Sequence, residues 1–137
     1  YSLVRKLLAD HDWSADYDLG RPLGEALLEP TRIYVADLLP HRDILKGLVH
    51  ITGGGFYENL PRILPPGLGM QIQLGSWPSL PIFDMLAAVG KLSTRDLYTT
   101  FNMGIGMVAI VRPEHADRIK GAYLIGEVVA DEGVELI

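Results

Sequence analysis

The sequence predicts an α+β domain, a mixed β-sheet with helices packed on it, and three observations predict it. Short apolar runs rich in β-branched residues, at 47–52 and 106–111, have the length and composition of strands. Segments with apolar residues at helical spacing, above all around 81–90, are interspersed with them. The length, 137 residues with 48% hydrophobic and 21% charged, is that of one domain able to bury its own core. The predicted order is α, α, β, α, β, α, α, β, α, β, β, without internal repeat or linker.

Leu3, Val4, Leu7 and Leu8 follow helical spacing and give the first helix. Residues 10–22 read as a polar loop, with Trp13 and Tyr17 tucked against the core. Residues 23–28 suit a short helical turn. Pro30 is placed to open a second helix, whose buried side is read as Ile33, Tyr34, Leu38 and Leu39 and which Pro40 stops. The run 47–52 is a buried strand. Phe56, Leu60 and Leu64 stand at i, i+4 and i+8, but Pro61 requires a kink or a helix ending near Leu60. Residues 70–74 alternate with period two and read as a half-exposed strand.

Pro81 opens the best helix, with Ile82, Met85, Leu86 and Val89 on one face and Gly90 as its C-terminal stop. Ser93-Thr-Arg-Asp96 is a capping box with Asp in place of Glu. The run 106–111 reads as a central strand. Residues 114–120, acids first and bases last, suit a short helix. Residues 123–129 and 134–137 are closing strands.

Composition excludes several functions. Cysteine is absent, which removes disulfides, thiolate metal sites and a cysteine nucleophile. The net charge is −5, and the basic residues Arg32, Arg42, Lys46, Arg62 and Arg95 are scattered, so no basic stripe invites nucleic acid. No apolar run approaches the ~20 residues needed to cross a bilayer. A cysteine-free acidic chain fits a reducing, cytoplasmic setting. The chain opens at Tyr1, without Met, directly into a helical pattern that lacks an N-cap. The expectation is a domain cut from a longer protein, with an exposed apolar patch where the remainder docks.

The most informative stretch is His50-Ile-Thr-Gly-Gly-Gly-Phe-Tyr-Glu-Asn-Leu-Pro-Arg62. A strand, three glycines and a helix start place free N–H groups beside residues without Cβ, which suits a phosphate. Thr52 adds a hydroxyl and Arg62 a guanidinium. The Gly-Lys-Ser/Thr ending of a P-loop is missing. The alternative is a tight turn that lets the helix pack closely on the strand, and both readings stay open.

Gly104-x-Gly106-x-x-Ala109 matches the dinucleotide fingerprint in letters, but it precedes a strand where the fingerprint requires a helix. It reads as a turn, with Asn102 at a cleft edge. His41-Arg42-Asp43 lacks the rest of a kinase set and reads as a solvated turn. His11 and His115 read as surface residues. His50 is either a satisfied structural histidine or a ligand-facing one. No spacing suggests a metal, no serine sits in a nucleophile elbow, and no catalytic residue is assigned.

The blocks YSLVRKLL, GEALLEPTRIYV, HITGGGFYENLPR, SWPSLPIFDML and TFNMGIGMVAIV, in this order, resemble the phosphoribosylformylglycinamidine cyclo-ligases, also called aminoimidazole ribonucleotide synthetases. The resemblance covers residues 1–137 and concerns the C-terminal domain of that family. It implies a reaction of purine biosynthesis in which ATP phosphorylates the formyl-amide oxygen of formylglycinamidine ribonucleotide. The amidine nitrogen then closes the imidazole ring and phosphate leaves. It implies a homodimer formed through an N-terminal domain that also supplies most of the ATP and Mg2+ site and that is absent here. This chain alone is therefore expected to be inactive and to bind no cofactor strongly.

Resemblance and local physics together give the substrate-side residues as Thr52, Gly53, Gly54 and Gly55, with Asn59, Arg62 and Asn102 as neighbours. The expected guest is the ribose phosphate of the substrate. The alternatives are a domain of formylglycinamidine synthase, selenophosphate synthetase or thiamine-phosphate kinase type, or a binding module without chemistry.

Overall fold

The computed structural model describes all residues from Tyr1 to Ile137. Its helices are α1 (Ser2–Leu7), α2 (Leu23–Leu27), α3 (Val35–Leu38), α4 (Gly55–Asn59), α5 (Pro81–Gly90) and α6 (Thr94–Thr100). Its strands are β1 (Gly47–His50), β2 (Gly69–Ile72), β3 (Met107–Ile110), β4 (Gly126–Val129) and β5 (Gly133–Leu136). The class is α+β, as the alternation of patterns predicts.

The strands divide between two sheets, where one was expected. β1 and β3 form an antiparallel ribbon in which Gly47 faces Ile110 and His50 faces Met107. β2 lies between β4, antiparallel, and β5, parallel, so this second sheet is the mixed one. An open groove of about 1230 Å3 is lined by residues of both sheets, among them Val108, Ile110, Met70 and Val128. The apolar run of β3 therefore borders this groove and pairs with β1 alone; it is not a central strand. β2 is more buried than its alternation suggested, because it carries a strand on each edge and packs Met70 and Ile72 into the core.

Two apolar clusters hold the domain. The larger joins Val49 and Ile51 of β1, Phe56 and Leu60, Met70 and Ile72, Trp77, Tyr98 and Val108. The smaller packs α1 and α2 on α5 through Val4, Leu8, Leu23, Leu27 and Leu86. Phe83 and Phe101 touch both clusters, with ring centroids 5.9 Å apart, and join them into one body. At about 25 cal/mol per Å2 of apolar surface removed from water, such contacts are the main stabilising term.

Local signals explain most elements. Pro61 ends α4 at Asn59 and turns residues Leu60–Ile63 into a 3-10 helix. Pro81 opens α5. The capping box at Ser93 is complete: Ser93 Oγ accepts from the Asp96 amide, and the Asp96 carboxylate accepts from the Ser93 amide at 2.9 Å. Arg95 stands 4.6 Å from the Tyr57 ring centroid and ties α6 to α4.

Four expectations are corrected. Pro30 opens no helix; Thr31, Ile33 and Tyr34 disfavour one, α3 is a single turn from Val35, and Ile33 and Leu39 are exposed by 80% and 59%. Residues 114–120 give only a 3-10 turn at Pro113–His115, since a segment closed by Gly121 is too short to nucleate an α-helix. Gly90 is the last helical residue and Lys91 takes the left-handed conformation (φ 50, ψ 42). Gly90 instead supplies space, because a Cβ there would lie 2.9 Å from Leu7 and Leu92. Trp13 is exposed, while Tyr17 is half-buried against the His11 ring.

The hydrogen bonds from the Ser93 hydroxyl and then its backbone hold the Asp96 carboxyl below its ordinary pKa. A group lowered on folding stabilises the fold above its unfolded pKa and loses that effect as pH falls through the folded value. Asp96→Asn is expected to lower the melting temperature by a few degrees at neutral pH. The gap should close as pH drops below about 4, as followed by circular dichroism melts across pH.

Candidate functional site

Both glycine-rich segments meet at one end of the β1–β3 ribbon. β1 runs into Ile51, whose amide donates to the Gly106 carbonyl at 2.9 Å, so residues 52–55 and 102–106 leave the ribbon side by side. The side chain of Tyr34 reaches across to Gly106, where a Cβ would collide with its ring.

The three glycines do three different things. Gly55 has φ +54, and a Cβ on it would strike the carbonyl oxygens of Tyr98 and Phe101 at the end of α6. Its amide is closed onto the Thr52 carbonyl at 3.0 Å, and the residue is buried. Close packing explains Gly55. Gly54 has φ +93 and caps α4, with the Glu58 side chain folded back against it. Backbone conformation explains Gly54. Gly53 is exposed, has no positive φ, and a Cβ there would meet nothing within 4 Å. Nothing inside the fold requires a glycine at 53.

The amides of Gly53 and Gly54 donate to no acceptor in the chain. Thr52 is exposed beside them, and its hydroxyl lies 3.4 Å from Asn59 Oδ1. Asn59 is only 2% exposed and lies beneath the loop, bonded to its carbonyls. Its side chain therefore supports the wall and does not line it. Arg62 is exposed on the 3-10 helix after α4 and has no ion-pair partner.

Asn102 is half-buried and builds the neighbouring turn. Its Oδ1 accepts from the Gly104 amide at 3.1 Å, and its carbonyl accepts from the Ile105 amide at 2.9 Å. Met103, at φ 50, is fixed in that turn by Trp77 Nε1, which donates to its carbonyl at 2.9 Å. His50 is exposed and makes no side-chain hydrogen bond, so the structural reading of this histidine does not hold; its ring is two residues from Thr52. The placements of Glu58 and Tyr34 beside the loops escaped the sequence reading, since neither backfolding onto Gly54 nor contact with Gly106 leaves a spacing signal.

Beneath the wall lies an aromatic trio. Phe56 stacks on Trp77 with centroids 5.9 Å apart and meets Tyr98 edge-on at 5.1 Å. Burial pushes the Tyr98 phenol above its ordinary pKa, so it stays neutral in the physiological range. No three His, Asp or Glu side chains are grouped to hold a metal ion.

The geometry thus defines a class: an α+β domain with a glycine-rich loop at its surface, where the Gly53 and Gly54 amides are unpaired. Comparison with known proteins makes this specific. The chain matches, over residues 1–137, the family described as AIR synthase related protein, C-terminal domain, and it belongs to that family. It is 52% identical, over 98% of its length, to a phosphoribosylformylglycinamidine cyclo-ligase of Geobacillus thermodenitrificans. It is 49% identical, over 99% and 98% of its length, to those of Acetivibrio thermocellus and Bacillus subtilis. The chain spans 43–44% of the length of these curated relatives.

The sorting of the glycines is open to a stability test. Gly55→Ala is expected to cost about 3 kcal/mol, from the left-handed backbone and the collision with α6. Gly53→Ala should stay within about 0.5 kcal/mol of the parent. Urea denaturation of both variants checks the difference.

Proposed function

We propose that this chain is the substrate-side domain of an ATP-dependent cyclo-ligase that closes the imidazole ring of formylglycinamidine ribonucleotide to give aminoimidazole ribonucleotide. The observation that carries the reading is the identity of about half, along nearly the whole chain, to proteins bearing that enzyme's name. The wall formed by Thr52, Gly53 and Gly54 supports it, because unpaired amides beside residues without side chains favour a phosphate monoester. The guest is the substrate's ribose phosphate.

In this reading Gly53 lets the phosphate oxygens approach the backbone, and the Gly53 and Gly54 amides donate to them. The Thr52 hydroxyl adds a donor, and Arg62 contributes positive charge. Holding the phosphate orients the other end of the substrate, where the formyl-amide oxygen takes the γ-phosphoryl group of ATP. The amidine nitrogen then attacks that carbon, the C–O bond breaks and inorganic phosphate departs. ATP and Mg2+ are assigned in this reading to the part of the relatives that this chain does not span.

Leu28, Ile33 and Val35, exposed by 81%, 80% and 65%, offer an apolar face on which that part docks, and the assembled enzyme is a homodimer. No helix is long and apolar enough to cross a membrane. The setting we infer is cytoplasmic.

Gly53→Val in the full enzyme carrying this chain should raise the KM for formylglycinamidine ribonucleotide about tenfold, the scale of one lost charge-assisted hydrogen bond. The KM for ATP and the melting temperature should be unchanged. A rise confined to the ATP KM would instead put the nucleotide at this wall, and no change in either would sink the reading.

Glu58 carries a negative charge beside Gly54, so Glu58→Gln should tighten phosphate binding about fivefold at low salt. The gain should fade in about 0.5 M salt, and isothermal titration with inorganic phosphate measures both.

A further inference from the structure

Asn59 is the only polar side chain in the fully buried core, at 2% exposure. A buried amide is retained against its desolvation cost when its hydrogen bonds are satisfied. Asn59 Nδ2 donates to the Gly55 carbonyl at 2.7 Å and to the Gly53 carbonyl at 3.2 Å, with the Thr52 carbonyl at 3.4 Å. One side chain therefore gathers three carbonyls of a four-residue loop.

The consequence lies in peptide geometry. In a planar trans peptide the carbonyl of one residue and the N–H of the next point in opposite directions. Drawing the Thr52 carbonyl inward turns the Gly53 N–H outward. Drawing the Gly53 carbonyl inward turns the Gly54 N–H outward. Both of these amides lack an acceptor in the chain, as does that of Thr52. Gly54, at φ +93, and Gly53, without a side chain, have wide backbone freedom and would otherwise sample other peptide orientations.

We propose that Asn59 is a positioning residue: by holding the carbonyls of residues 52, 53 and 55 beneath the loop, it fixes the Gly53 and Gly54 amides toward the ligand. The functional half of this inference rests on the reading of the loop as a phosphate wall. The side chain touches no substrate; it acts through the loop. Preorganised donors cost no rearrangement when the anion arrives, which is why an inward-facing clamp affects binding at the outer surface.

The test uses Asn59→Asp, of the same shape but lacking the amide donor, and Asn59→Ser, read by amide NMR during titration with inorganic phosphate. In the parent, the Asn59 side-chain amide should show coupling across its hydrogen bonds to the Gly55 and Gly53 carbonyl carbons. Phosphate should shift the Gly53 and Gly54 amide signals saturably. In the variants these two signals should move before any phosphate is added, and the Kd for phosphate should rise at least tenfold, while core signals such as Val49 and Val108 keep their parent positions.

Variants that retain the parent's Gly53 and Gly54 signals and its Kd overturn the inference and leave the phosphate wall standing. A parent that ignores phosphate, alongside variants whose two amides have moved, upholds the clamp and overturns the phosphate wall. If neither variant folds, the parent alone decides: missing coupling between the Asn59 amide and the Gly55 carbonyl overturns the proposal.

Discussion

The domain depends on one contact without side chains. The backbone of Gly55 lies against the carbonyl oxygens of Tyr98 and Phe101, closer than any Cβ permits. This approach sets where α4 starts, where α6 ends, and how the strand β1 is joined to the helical layer. It also brings Phe56, the next residue, into the trio with Trp77 and Tyr98. Trp77 in turn fixes the Met103 carbonyl, so the second glycine-rich turn is held by the aromatic cluster that supports the first. The two loops of the candidate site thus share a single rigid base.

A rigid base matters because backbone amides are weak recognition elements in water. Each competes with solvent, and a mobile loop must be ordered before it binds. Here the ordering is done in the fold, by Gly55 packing on one side and Asn59 holding carbonyls on the other. The same arrangement explains why Thr52 and Gly53 are exposed while Gly55, Phe56 and Asn59 are buried. Glu58 works in the opposite direction. On the proposed reading, its carboxylate beside Gly54 narrows the approach of an anion to the Gly53 side.

Features governed by local chemistry were legible in the sequence. Pro81, the Ser93 capping box and the Pro61 break fixed helix ends because proline and short polar side chains act on the backbone within one turn. Thr52 to Gly55 stood out because three adjacent glycines exceed the needs of a turn. What escaped depended on long-range geometry. That the strands divide between two sheets depends on which runs meet, not on their composition. The segment around Ile33 reads as amphipathic, but its apolar residues face outward in this chain. Asn59 reads as a neighbour of the ligand, but α4 ends on it underneath the loop, where its side chain holds the loop's carbonyls. Of the two readings of the three glycines, packing accounts for Gly55, while nothing inside the fold accounts for Gly53.

On the proposed reading, the opening at Gly53 also limits what this chain does by itself. A phosphate resting on two outward amides and a hydroxyl keeps much of its surface in water, where each hydrogen bond contributes little. The contribution grows when a second wall excludes solvent and lowers the local dielectric. In the function proposed above, the exposed apolar residues between Leu28 and Leu39 are where such a wall docks. On the reading proposed above, a half-cleft built this way holds one end of the substrate in register while the reactive end lies in the space between two domains. On that same reading, substrate selection by the loop and phosphoryl transfer at the other wall can be tuned separately, because they rest on different parts of the protein.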